Sequence, residues 1–211
     1  MLSSYLTIKG SDSEEQIIQK SRFIGYAARA ESEEEALAFI QEIKRKHYDA
    51  THNCSAYLIG EHDQIQKAND DGEPSGTAGV PILEVLKKQN LKDTVAVVTR
   101  YFGGVKLGAG GLIRAYSSST SLAVQAAGVV RRELMQGFSV SIEYPLLGKV
   151  ENALRQSDYV LEDIRYLEKV ECIVYASENE ADAFQEWMID LTNGQAAISR
   201  LDVKYAEIPV T

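Results

Sequence analysis

Between residues 70 and 116 the chain carries two glycine-rich loops, each running into a helical pattern, with a β-branched run between them. The first loop, DDGEPSGTAG from Asp70, is dense in residues that interrupt regular structure. A helix is expected to follow over residues 77–89. TVAVVT, residues 94–99, reads as a buried strand. The second loop, RYFGGVKLGAGG over residues 100–111, precedes a long helix expected from Leu112 to Ala127, with Gly128 at the usual stop position. This order commits the region to a mixture of strand and helix.

The flanking segments extend that mixture. Residues 20–30 read as a strand. Ser32 then suits a helix N-cap, followed by Glu33, Glu34 and Glu35 where the helix dipole favours acids. Ala36, Leu37, Phe39, Ile40 and Ile43 recur at helical spacing, and Lys44, Arg45 and Lys46 close the helix at its negative end. Residues 53–59 and 64–68 read as a hairpin around Glu61-His62-Asp63. Further on come a strand (138–144), a helix opened by Pro145, two strands (159–166 and 169–176), a helix (178–191) and a strand (196–206). That βαββαβ order matches the ferredoxin-like arrangement. The expected fold is α+β with two domains, residues 1–134 and 135–211.

Charge separates the same two parts. The net charge is −9, yet residues 1–137 carry only −1 and the remainder −8. Residues 94–132 hold Arg100, Lys106, Arg114, Arg131 and Arg132 and no acid. An acidic chain is poorly suited to nonspecific nucleic-acid binding over its whole surface, but this one contains a basic glycine-rich segment. No apolar run approaches the ~20 residues needed to span a bilayer, and residues 1–21 lack the apolar core of a signal peptide. Two distant cysteines, Cys54 and Cys172, fit a reducing compartment better than a disulfide framework. A cytoplasmic monomer without a membrane anchor is expected.

The candidate binding residues are Asp70, Asp71, Gly72, Glu73, Gly76 and Thr77 on the first loop. On the second loop and helix start they are Arg100, Tyr101, Phe102, Gly103, Gly104, Lys106, Gly108, Gly110, Gly111 and Arg114. Small residues before a helix let a ligand approach backbone amides, and such helix ends favour anions. Two helix starts, three cations and two aromatic rings are expected to converge on one concave site. Replacing Arg100 or Arg114 by alanine is then expected to weaken ligand binding with little loss of folding.

Other groupings carry less. His52 and Cys54 share one face of a strand, but without a second Cys/His pair they are poor material for zinc. Cys54 reads as a buried structural cysteine. Asp70, Asp71 and Glu73 suit either a magnesium ion beside a phosphate or the capping of loop amides, and capping is the simpler reading. The serines and threonine at 117–121 read as a small-residue packing face. No catalytic residue, metal or cofactor is assigned.

DDGEPSGTAG, then Gly79-Val80-Pro81, then VVTRYFGGVKLGAGGLIRAYS, together with HNCSAY from His52, resemble the signature of the YigZ/IMPACT family, in its bacterial YigZ branch. The resemblance extends over essentially the whole chain. It implies a ribosomal-protein-S5-domain-2-like N-terminal domain, also seen in a translocation-factor domain, followed by a ferredoxin-like C-terminal domain. It also implies a setting in translational control, with RNA, the ribosome or a translation factor as partner. Eukaryotic members carry an N-terminal RWD domain that this sequence lacks. Two alternatives stay open from the residues: an enzyme acting on a phosphorylated small molecule or nucleotide, and a protein-interaction module using the acidic C-terminal part.

Overall fold

The computed structural model describes residues 1–210. Its contacts divide into two units, one comprising Tyr5–Arg131 and the other Met1–Ser4 with Arg132–Ile208.

The first unit is built on an antiparallel sheet. Its strands are β2 (Ser11–Ile18), β3 (Ser21–Arg29), β4 (His52–Ile59), β5 (Ile65–Asn69) and β6 (Thr94–Tyr101), in the order β2-β3-β6-β4-β5; β1 (Ser4–Ile8) precedes this sheet and is not one of its strands. Helices α1 (Glu33–Lys46), α2 (Gly79–Lys88) and α3 (Gly108–Ala127) cover it. β6 explains the layering. Its side chains alternate, so Ala96 and Val98 join a core with Ile82, Leu86, Ala115 and Tyr116 of α2 and α3. Val95 and Val97 join a second core with Ala36, Ile40 and Ile43 of α1. A strand buried on both faces is apolar throughout, which is why TVAVV has no polar alternation. Ser32 caps α1 as its position predicts, accepting from the Glu35 amide at 3.2 Å, an interaction worth about 1 kcal/mol.

Of the small polar residues at 117–121 on α3, Ser119 and Thr120 are buried, whereas Ser118 and Ser121 are exposed. A Cβ on Gly25 of β3 would lie 2.3 Å from the Ser119 carbonyl oxygen. Only glycine allows that approach of helix to sheet.

The second unit contains β7 (Val129–Ile142), α4 (Leu147–Arg155), β8 (Val160–Tyr166), β9 (Val170–Ser177), α5 (Ala181–Thr192) and β10 (Ala197–Pro209). β10, β7, β9 and β8 are neighbours in that order. This is the ferredoxin-like topology. Phe138, Val140, Val150, Val174, Phe184 and Met188 form its core, with Trp187 packed at the margin.

Several boundaries differ from expectation. β1 and β2 were not predicted, because β2 is a polar edge strand whose order comes from pairing with β3 rather than from its own pattern. The expected loop over residues 100–111 contracts to residues 102–107. Arg100 and Tyr101 still pair across β6, and GAGG forms the first turn of α3. Among the described residues no helix is long and apolar enough to cross a membrane.

Candidate binding site

The alternation of β6 sorts the predicted residues before any loop is considered. Arg100 continues the Ala96–Val98 side and faces α3, whereas Tyr101 faces α1. His52 lies directly opposite Arg100 in the β4–β6 register. Tyr101 is therefore committed elsewhere: its hydroxyl accepts from His47 Nδ1 at 2.8 Å and donates to Asp49 Oδ1 at 3.2 Å.

The first loop folds back on itself. Asp70 Oδ1 accepts from the Ala78 and Gly79 amides at 3.1 and 2.8 Å, and Oδ2 from the Gly76 amide at 2.8 Å. Burial works to raise the Asp70 carboxyl, but these amides outweigh it and hold it below its ordinary value. The start of α2 thus already has its anion, a carboxylate from its own chain. Asp71 Oδ2 accepts the Asn53 amide at 2.7 Å, and Asp71 Oδ1 pairs with Lys44 Nζ at 2.7 Å. Thr77 bonds the Pro74 carbonyl at 2.6 Å. Gly72 packs beside the His52 ring. The capping reading of the acids describes Asp70 and Asp71 well.

Glu73 turns inward. Its Oε1 accepts from Arg100 Nη1 at 2.6 Å and from the Tyr116 hydroxyl at 2.7 Å. The two charged side chains are only 3% and 6% exposed. The Arg100 guanidinium also lies over the rings of Phe23 and Phe102, at 5.4 Å from each centroid. Arg100 is therefore a buried structural cation, in contrast to the free ligand cation expected from sequence. Below it, burial pushes the Cys54 thiol up to about 12, against the Tyr116 hydroxyl acting in the other direction. Cys54 donates to the Asp70 carbonyl at 3.0 Å. It is an interior thiol, as its place in the strand suggests.

The second helix start is different. Leu107 at the N-cap position of α3 offers no side-chain acceptor, and the first turn holds no acid. Gly108 has φ +69° with open space around it. Gly103 is needed where it stands, because a Cβ there would lie 1.9 Å from the Lys20 carbonyl oxygen. A cavity of about 420 Å³ opens at this end of α3, lined by His52, Glu73, Arg100, Phe102, Lys106 and Gly108, among others. Phe102 is 47% exposed. Lys106 is exposed and makes no ion pair among the described residues.

Arg114 lies outside this cavity. With Gly111 it lines a separate one of about 360 Å³, beside Ile18 and Gln19. Gly104 is exposed on the connecting loop, and Gly110 lies on the first turn of α3 near the Arg114 side chain. The expected convergence therefore resolves into one open helix start, one free lysine and one aromatic ring. His52 was discounted as a metal ligand and was not counted among the site residues. The two-residue alternation from Cys54 toward Arg100 is the sequence signal that places it here.

Fold and site together define a two-domain α+β protein with a glycine-rich, cavity-bearing first domain and a ferredoxin-like second one. Residues 19–124 match the Impact N-terminal domain, and residues 140–195 match a domain of unknown function (DUF1949). The chain is 58% identical over 207 residues to the IMPACT family member YvyE of Bacillus subtilis, covering 98% of this chain and 95% of that protein. It is 38% identical over 143 residues to the IMPACT family member YigZ of Escherichia coli, covering 67% and 70%. A solved crystal structure of a hypothetical protein is similar, with a TM-score of 0.61, 30% identity and coverage of 96% and 99%. The chain belongs to the IMPACT family.

Proposed function

We propose that this protein binds RNA of the translation apparatus in the cytoplasm, through the cavity at the start of α3. The observation that carries the reading is the contrast between two helix starts. That of α2 is filled by Asp70, whereas that of α3 is uncapped, free of acids and set beside Lys106. An unfilled helix N-terminus with a nearby ammonium suits a phosphate. The exposed ring of Phe102 suits base stacking, worth ~1–3 kcal/mol. The cavity is of a size that holds small ligand groups. The translational setting is the one that the family resemblance implies.

The acidic second unit restricts binding to one face, so affinity should depend strongly on salt. Fluorescence anisotropy with a labelled single-stranded RNA, repeated from low to moderate salt, tests this. Affinity is expected to fall linearly on logarithmic axes, and Lys106→Ala to reduce the slope by about one. Salt-independent affinity, or a slope untouched by Lys106→Ala, would refute the electrostatic reading.

A further inference from the structure

We infer that the inner wall of the cavity holds a ribose-diol subsite, formed by His52 Nε2 and Glu73 Oε2. The inference rests on the RNA-binding reading and names the part of the nucleotide that the cavity selects.

His52 Nδ1 lies 2.8 Å from the Asp71 carbonyl oxygen. A carbonyl only accepts, so Nδ1 carries the proton, and in the neutral ring Nε2 presents a lone pair. Glu73 Oε1 is engaged by Arg100 and Tyr116, but no donor among the described residues bonds Oε2. His52 Nε2 lies 3.9 Å from Oε2, too long for a hydrogen bond. Glu73 is nevertheless 3% exposed at its side chain and lines the cavity. Oε2 reaches solvent only through this cavity, so a ligand that fills the cavity displaces its water and must supply a donor in its place. Two acceptors therefore converge on one spot and call for two donors.

The spacing selects among donors. An amino group with two linear N–H bonds wants its acceptors ~5 Å apart. Neighbouring hydroxyls on a ribose ring each donate once and suit the shorter separation. A carboxylate accepting from a ribose hydroxyl is a familiar solution in nucleotide sites. With Phe102 and Lys106 on the same cavity, the natural occupant is the terminal ribose of an RNA strand, whose two hydroxyls are both free. A free ribonucleotide offers the same diol.

The test uses the full chain and a 5′-labelled single-stranded RNA 10-mer with a free 3′-terminal ribose. The same strand is prepared with a 2′-deoxy terminal residue and with a 3′-terminal phosphate. The intact diol should bind about tenfold more tightly than either blocked form, the effect of leaving one buried acceptor unpaired. His52→Phe, which keeps a ring in place, should abolish that preference, so that intact and blocked strands bind alike. Glu73→Gln serves as the second variant if it folds. Equal affinity for intact and blocked strands would overturn the diol subsite and leave the RNA reading standing. Binding of adenosine 5′-monophosphate but not its 2′-deoxy form, with no RNA bound, would support the subsite and overturn the RNA reading. No binding of any strand or nucleotide would overturn both.

Discussion

The buried Glu73–Arg100 pair supports a quantitative prediction about what holds the first unit together. The carboxylate and guanidinium meet at 2.6 Å with almost no solvent exposure, and Tyr116 donates to the same oxygen. Removing one partner leaves an uncompensated buried charge, which costs about 3–5 kcal/mol. Glu73→Leu should sit at the upper end, because it also strands the Tyr116 hydroxyl. Arg100→Met should cost about 3 kcal/mol, since the tyrosine bond remains. Replacing both leaves an apolar contact, and the double variant should be no worse than the poorer single, a coupling of at least ~3 kcal/mol. Trp187, the one tryptophan, belongs to the second core, so its fluorescence does not monitor the right unit. Urea-dependent hydrogen exchange of peptides from β6 and α3 is the suitable assay. Additive losses, or single variants costing under ~1 kcal/mol, would show that the pair is not the buried charge clamp described.

Three further outcomes follow from neighbouring contacts. Asp70→Asn should cost about 1–2 kcal/mol at neutral pH, in the manner of a lost helix cap. Because the folded carboxyl is held low, its contribution is present above the unfolded value and disappears as pH falls through the folded one. Urea midpoints of wild type and variant should therefore converge toward acid, and a constant difference down to pH 3 would contradict it. Gly103→Ala should destabilise by about 3 kcal/mol, because its Cβ would strike the Lys20 carbonyl; an unchanged melting temperature would show the loop can move aside. Cys54, buried and pushed up to about 12, should resist a disulfide reagent at pH 8 until the chain unfolds. Rapid stoichiometric labelling of native protein at that residue would refute this.

How much was legible in the sequence depended on whether a signal was local. Ser32, its following acids and the basic end of α1 specify that helix within their own turns, and it forms there. The βαββαβ order of the second unit follows from segment periodicity alone. β2 was hidden because an edge strand rich in Ser, Asp and Glu carries no apolar alternation. GAGG looked like loop because glycine disfavours helix by about 1 kcal/mol each. Tertiary packing overrides that preference: Leu112, Ala115 and Tyr116, which follow GAGG on α3, are buried in the first unit's core.

The site shows the same division. That Arg100 and Tyr101 face opposite ways is implicit in a strand's two-residue period, and it alone removes Tyr101 from the cavity. That Asp70 would occupy the α2 start, and Glu73 would bury itself against Arg100, depends on the path of a loop that composition does not specify. Yet those two acids determine where a ligand can bind. The three most prominent features, two helix starts and a conspicuous arginine, looked equivalent as sequence. Asp70 neutralises one helix start and Glu73 neutralises one arginine, and Arg114 lies on a separate cavity, so this cavity keeps one open positive end. The uncapped start of α3 with Lys106 remains, beside Glu73 Oε2 and His52 Nε2, neither of which is hydrogen-bonded among the described residues. A site with an anion-binding end and an acceptor pair a few ångströms apart requires a ligand that is negative at one point and rich in donors at another. A ribose phosphate has that pattern, whereas an acidic peptide supplies the charge without the hydroxyls.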